Sequence, residues 1–179
     1  MGAITPSTLR TAIWTPQAWL GLALLAVCWP LNWTLQGMRT AYLGNWDKGC
    51  EMAQRAMKLN PRHPGWYWFP QALHAFRQHD FSGALSFNVK VNMPLLIQAG
   101  ATFTAIYGHM GKHKEARQSL KELLVLKPDF AAVGRRTFEK YFSERELVDL
   151  FEEGWRKAGL YDLQPTCQAA TDAGSLPLA

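Results

Sequence analysis

The sequence predicts an all-α fold, an α-solenoid of about three helix–turn–helix repeats that ends in a C-terminal capping helix. One pattern carries this prediction: a glycine turn, a bulky residue, a small residue, an apolar stripe with a period of 3.6 residues, and then proline. It runs from Gly44 to Pro61 and recurs from Gly111 to Pro128, with a weaker copy between His79 and Pro94. The mean spacing of about 33.5 residues is the period of a helical repeat.

Length and composition allow one domain with a sizeable core. The chain has 179 residues, and 48% of them are hydrophobic, which is ordinary for a globular domain. The net charge is +5, but the basic residues are scattered, with no run longer than Arg135-Arg136. Because a nucleic-acid interface needs a concentrated basic patch, we expect no nucleic-acid partner.

The three cysteines do not form a recognisable site. Cys28, Cys50 and Cys167 are far apart and show no CxxC spacing. Such an odd, sparse set argues against a disulfide framework and against a zinc site. A reduced, cytoplasmic environment fits best.

The N-terminal segment, residues 1–29, leaves two interpretations open. No charged residue occurs between Arg10 and Arg39, and Ala18 to Leu35 is nearly all apolar, which reaches the lower limit for crossing a bilayer. Pro30 interrupts this run. Either Pro16 to Trp29 is the packed second helix of a degenerate preceding repeat, or residues 14–35 form a membrane segment that anchors the protein.

Residues 30–128 contain the predicted repeats. In the first repeat, helices are expected from Asn32 to Leu43 and from Asp47 to Lys58. Asn60-Pro61 ends the second of these helices, because proline cannot continue the hydrogen-bond ladder of a helix. The inward residues of that second helix are predicted to be Gly49, Ala53, Ala56 and Leu59.

The second repeat is expected to be shorter than the others. It opens at Gly65, continues through Gln71 to Gln78, and forms its second helix from Phe81 to Val91 before Met93-Pro94 arrives early. The third repeat is predicted to use Ile97 to Met110 and Lys114 to Leu126.

Residues 129–160 are predicted to form capping helices, Phe130 to Tyr141 and Ser143 to Ala158. Ser143 followed by Glu146 has the spacing of a capping box. The second helix has one apolar face and a charged outer face, which suits the end of a solenoid. The apolar face consists of Leu147, Leu150, Phe151 and Trp155. We expect residues 161–179 to be a disordered tail.

The region 30–128 resembles tetratricopeptide repeats. Leu59 to Trp68, Met93-Pro94, Pro128 to Phe130 and Gly154 to Leu160 are together similar to the C-terminal repeat region of bacterial signalling proteins. In that family the repeats follow a class III adenylate cyclase domain or a winged-helix DNA-binding domain. The 29 residues before Pro30 are too few for either domain, so the resemblance implies the repeat fold and a regulatory, protein-binding role without catalysis.

No residue pattern indicates an enzyme or a cofactor. His109 and His113 have the spacing of metal ligands, but Gly111 lies between them at a predicted turn and no third ligand is evident. Phosphate-binding glycine loops, nucleophile elbows and HExxH motifs are missing from the sequence. We therefore expect no catalytic residues, no metal and no cofactor.

The first helices of the repeats are expected to line a concave groove. From the register of the glycine turns, its residues are Met38, Tyr42, Trp66, Phe69, Leu73, Arg77, Gln98 and His109. This apolar and aromatic set predicts a scaffold that binds an apolar peptide or partner surface, unless the N-terminal helix covers the groove. The alternative is a membrane-anchored repeat protein, and the sequence does not indicate the oligomeric state.

Overall fold

Residues 32–162 are described by the computed structural model, and within this range every regular element is helical. The predicted all-α class is therefore confirmed for these residues. The N-terminal segment 1–29 and nearly all of the tail 161–179 lie outside the described range, so their predictions are untested. Among residues 32–162, no helix combines the length and the apolar composition needed to cross a bilayer.

The helices follow one another with short connections. In chain order they are α1 (32–42), α2 (Trp46–Leu59), a short 3-10 helix (Gly65–Trp68), α3 (Phe69–Arg77), α4 (Phe81–Val91), α5 (Ile97–His109), α6 (His113–Leu126), α7 (Phe130–Tyr141) and α8 (Arg145–Lys157). These bounds agree with the predicted helices to within a few residues. Helix α4 is three residues shorter than α2 and α6, which have 14 residues each. Its C-cap residue, Asn92, has the left-handed conformation.

Glycine turns join the helices of the first and third pairs, as predicted. Gly44 has a φ of 100° and Gly111 a φ of 67°, which glycine adopts without the steric cost of a Cβ. In the middle pair His79 adopts a φ of 61° at the equivalent turn. Asp80 then begins α4 by accepting a hydrogen bond from the Gly83 amide through its side chain.

Helices α1 and α2 approach closely because small residues face each other. A Cβ on Gly49 would lie 2.6 Å from the Ala41 Cβ and from the Gly37 carbonyl oxygen. Gly49, Ala53 and Ala56 are buried as predicted, but the prediction for Leu59 is wrong, since its side chain is 55% exposed. Trp46, at the start of the same helix, is buried instead.

Helix α8 packs chiefly against α5, with a smaller contact to α7. Phe151 stacks on Phe76 of α3 at 4.4 Å between ring centroids, and Trp155 donates from Nε1 to the Ala101 carbonyl oxygen at 2.8 Å. Phe142, in the connection between α7 and α8, packs edge-on against Tyr42 of α1. The C-terminal region therefore lies against the first helix of three successive pairs, the side on which the sequence predicted the groove.

The predicted capping box of α8 does not form. Glu144 is the N-cap residue, and no side chain caps the helix. The Ser143 hydroxyl donates instead to the Tyr42 carbonyl oxygen at 2.9 Å, and the Ser143 amide donates to the same oxygen at 3.1 Å. Ser143 thus fastens the α7–α8 connection to α1.

Candidate functional site

The predicted groove residues are divided by α8 into two sets. Five of the eight line one cavity of about 170 Å³. The complete lining is Met38, Tyr42, Trp66, Phe69, Leu96, Gln98, Phe138, Tyr141 and Phe142. Leu73, Arg77 and His109 do not reach this cavity.

Helix α1, the 3-10 helix and α3 build one part of the cavity wall, and residues of α5 and α7 or next to them build the rest. Met38 and Tyr42 are four residues apart on α1, so they share one helix face. Trp66 comes from the 3-10 helix, and Phe69 from the first turn of α3. The 3-10 helix begins at Gly65, where a Cβ would overlap the Val91 carbonyl oxygen at the end of α4. This close contact fixes the position from which Trp66 extends.

The cavity is apolar and holds no charged side chain among its lining residues. Burial, and to a lesser extent Tyr141, raises the pKa of Tyr42 far above its ordinary value, so this phenol stays neutral at any physiological pH. The Phe142 ring lies edge-on against the Tyr42 ring at 4.9 Å between centroids. Such a wall can bind an apolar group, but it offers no acid, base or nucleophile.

The volume of the cavity suits a single large apolar side chain. An engineered apolar cavity of about 150 Å³ in another protein binds benzene. The present cavity, of about 170 Å³, has therefore the capacity for an aromatic ring or a branched aliphatic side chain.

Two of the other three predicted groove residues contact the C-terminal region. Leu73 is completely buried. The Arg77 Nε lies 2.6 Å from the Glu144 Oε2 in an ion pair, and Glu144 also accepts from the Trp46 indole at 3.0 Å. His109 Nε2 lies 2.8 Å from the Leu150 carbonyl oxygen. Arg77 and His109 are therefore engaged by α8 and its N-cap residue and not by the cavity.

Sequence reasoning missed four lining residues, Leu96, Phe138, Tyr141 and Phe142. Phe138 and Tyr141 belong to α7, and Phe142 directly follows it. The sequence predicts that this helix belongs to the C-terminal cap and not to the groove. The aromatic run from Phe138 to Phe142 was the available signal. Nothing in its spacing shows that it returns to α1.

A larger and more open depression of about 440 Å³ lies beside the N-terminal half of α8. Its lining is mostly charged and includes Arg77, Glu144, Asp149 and Glu153. Arg77 pairs with Glu144, and Glu153 pairs with Lys157 at 2.8 Å. Asp149 pairs with Arg135 at 2.7 Å. Most of the charges that line this depression are therefore in surface ion pairs, so it is a weaker candidate than the apolar cavity.

Cys50 and the potential metal ligands in the described part of the chain do not form a second candidate site. Burial, followed by the nearby Asp47, raises the pKa of the Cys50 thiol to about 11, so this residue carries no thiolate at neutral pH. Within residues 32–162, no three His, Cys, Asp or Glu side chains are grouped as metal ligands would be.

His109 is expected to make the stability of the fold depend on pH. Burial lowers the pKa of His109, although the hydrogen bond with Leu150 opposes that shift. The contact with a carbonyl oxygen requires a proton on Nε2, so Nδ1 accepts from Lys157 Nζ, 3.4 Å away. The neutral ring satisfies both partners, whereas a second proton would lie against the Lys157 ammonium.

We therefore expect stability to fall as the solution is acidified below the ordinary histidine pKa of about 6.5. The unfolded chain then takes up a proton that the folded ring resists, and the decline continues until the pH reaches the lower folded pKa. His109→Gln retains a donor and should flatten this part of the curve. Urea unfolding at several pH values between 5 and 8 measures it; parallel curves for both proteins would contradict the assignment.

Comparison with known proteins adds no family assignment: no protein-family model matches the chain, and no curated protein sequence matches it.

Proposed function

We propose that this chain is a non-catalytic protein–protein interaction scaffold. It binds an apolar segment of a partner protein in the apolar cavity between α1 and α7 described above. The single observation that carries the proposal is the apolar cavity of about 170 Å³, lined by residues of α1, α3, α5 and α7 and by those next to them. On this proposal, the helix pairs form an α-solenoid of about three tetratricopeptide-like repeats that serves as a regulatory module.

The helix pairs support the repeat interpretation. Helices α3 and α4 pack together, as do α5 and α6, and the glycine turns fall at the predicted positions. Buried side chains also join successive pairs. Gln71 of α3 donates to the Cys50 carbonyl oxygen of α2 at 3.3 Å, and Asn88 of α4 donates to the Ala99 carbonyl oxygen of α5 at 3.2 Å. Neighbouring pairs are thus linked as stacked repeats require.

The energetics favour a partner with one anchoring side chain and further contacts around it. Burying a Leu or Phe side chain contributes about 1.5–3 kcal/mol, whereas association costs about 4–15 kcal/mol in lost translational and rotational freedom. One anchor is therefore insufficient. Trp66 is partly exposed and Tyr141 is 46% exposed at the cavity, so both can supply aromatic surface to residues that flank the anchor.

Photo-crosslinking in living cells tests the proposed site. The photoreactive residue p-benzoylphenylalanine would replace Gln98 in the cavity wall or, as a matched control, Val125 on the outer face of α6, which is 81% exposed. We expect discrete adducts from position 98 whose crosslinked peptide carries a large apolar residue. A second substitution, Met38→Trp, should fill the cavity and reduce these adducts at least about tenfold, which corresponds to about 1.4 kcal/mol.

Two outcomes would refute the site. One is the same set of adducts from positions 98 and 125, and the other is undiminished crosslinking after Met38→Trp. Circular dichroism of each variant would verify that the helices are retained.

Membrane anchoring of the same scaffold is the second candidate. It is favoured by the charge-free run between Arg10 and Arg39, most of which lies outside the described residues. Fractionation of cells without detergent separates the candidates. An anchored chain would stay with the membranes after a high-salt wash, whereas a cytoplasmic scaffold would remain in the supernatant.

A further inference from the structure

We propose that the cavity has an occupant within the same chain: the apolar segment 16–29 lies in it and competes with the partner. This inference rests on the proposed binding function of the cavity and adds its regulation. Three observations support it: the surface of α1, the composition of the segment that precedes α1, and the distance that this segment must span.

The apolar surface of α1 extends from the cavity toward the N-terminal end of the helix. Met38 and Tyr42 line the cavity, and Leu35 lies three residues before Met38 on the same face. The Leu35 side chain is 48% exposed. An apolar stripe therefore leads from the cavity to Leu35, near the N-terminal limit of the described part of α1.

The preceding segment has the composition that such a surface requires. Between Pro16 and Trp29 the side chains are almost all apolar, and none is charged. Pro30 lacks an amide proton and disfavours the helical conformation at Trp29, so it favours a change of chain direction before α1.

The segment is long enough to reach the cavity. A helix rises about 1.5 Å per residue, so Met38 lies about 9 Å and Tyr42 about 15 Å along α1 from residue 32. In the proposed arrangement the segment would run back along α1 from Trp29, and with a helical rise Leu24 would come near the level of Met38 and Leu20 near the level of Tyr42. Leu20 and Leu24 are four residues apart in the sequence, the spacing that would put both on one face of such a helix.

A tethered occupant is favoured over a second copy of the chain. A cavity for one side chain binds a free ligand weakly, because association sacrifices translational and rotational freedom. A segment joined by a short connection meets the cavity at an effective concentration in the millimolar range. An intramolecular occupant therefore outcompetes another molecule unless that molecule makes additional contacts.

Disulfide trapping in the full-length chain tests the placement of the segment. In a background with Cys28→Ser, Cys50→Ala and Cys167→Ser, Leu24→Cys would be combined with Gln98→Cys in the cavity wall. The matched control pair joins Leu24→Cys to Val125→Cys on the outer face of α6. Under mild oxidation we expect the first pair to form a disulfide within one molecule at least about tenfold faster than the control.

Equal rates for the two pairs would overturn the proposal, as would disulfides only between molecules or a Leu24→Cys chain that stays in the membrane fraction. These outcomes correspond to a loose segment, a second copy and a membrane anchor.

A second experiment separates this inference from the binding function. Leu24→Asp in the full chain puts a charge where the cavity cannot accept one, so the segment should leave and partner crosslinking from position 98 should rise at least about fivefold. Gln17→Asp, near the start of the segment, is the control and should leave crosslinking unchanged. Unchanged crosslinking in the Leu24→Asp chain would refute the competition while the binding function stands. Partner adducts missing from every variant would refute the binding function. The disulfide experiment would still show whether the segment lies at the cavity.

Discussion

Gly108→Ala is expected to destabilise the protein by about 3 kcal/mol, the upper end of the usual cost of overpacking, because α5 and α8 cross in contact at this residue. A Cβ on Gly108 would overlap the Gly154 carbonyl oxygen, and a Cβ on Gly154 would lie 2.7 Å from the Ala105 Cα. Both obstacles are backbone atoms, which cannot rotate away as a flexible side chain can. The two helices would have to separate, and the apolar face of α8 would lose its contacts.

A matched control is available within the same helix. The nearest neighbour of a Cβ on Gly100 would be the Leu123 Cδ1 at 3.7 Å, an ordinary van der Waals contact. Gly100→Ala should therefore be neutral or stabilise α5 by up to about 1 kcal/mol, the cost of glycine in a helix interior. Urea denaturation followed by circular dichroism measures both variants. Equal stability for the two would contradict the tight crossing.

Trp155→Ala is the second substitution with a large expected effect, a loss of about 3–5 kcal/mol. Trp155 is completely buried, and its ring centroid lies 4.9 Å from those of Phe130 and Phe138. Alanine would leave a cavity between α5, α7 and α8. It would also remove the Nε1 donor from the buried Ala101 carbonyl oxygen.

Comparison with Trp155→Phe divides this effect into packing and hydrogen bonding. Phenylalanine keeps much of the aromatic contact and loses the donor, so a smaller loss of about 1–3 kcal/mol is expected. Val125→Ala serves as an exposed control and should change stability by less than about 0.5 kcal/mol. Thermal and urea unfolding would give the order Val125→Ala, Trp155→Phe, Trp155→Ala. If Trp155→Ala were as mild as Val125→Ala, the burial of α8 would be refuted.

The helices and turns could be predicted from the sequence because their determinants are local. The 3.6-residue period, Gly44 and Gly111 at the turns, and proline after α2 and α6 act within a few residues of their positions. The apolar face of α8 was also predicted, since Leu147, Phe151 and Trp155 recur at helical spacing.

The position of α8 could not be predicted, because an apolar face does not specify the surface that it covers. Contact with α5 depends on Gly154 meeting Ala105 and Gly108, residues nearly fifty positions apart along the chain. The capping box failed for a related reason: Glu144 rather than Ser143 is the N-cap residue of α8. Ser143 is held outside the helix by hydrogen bonds to the Tyr42 carbonyl oxygen, which only the tertiary fold brings near.

The candidate cavity was predictable only in part. Helical register placed Met38, Tyr42 and Phe69 on one side of the molecule, and the structure brings them together. Phe138 and Phe142 complete the wall because α7 returns to α1, a long-range contact that no local pattern encodes. The same return places Glu144, at the start of α8, against Arg77, which lies outside the cavity.

Hydrogen exchange at the amides of α8 tests the central claim most directly, namely that this helix is a permanent part of the core and confines binding to the cavity. We predict that the slowest amides of α8 open with a free energy within about 1 kcal/mol of those of α5, because both helices are lost only in global unfolding. Opening of α8 at a free energy lower by more than about 3 kcal/mol, with α3 and α5 still protected, would contradict the account. It would show that α8 leaves readily and that the whole groove is available.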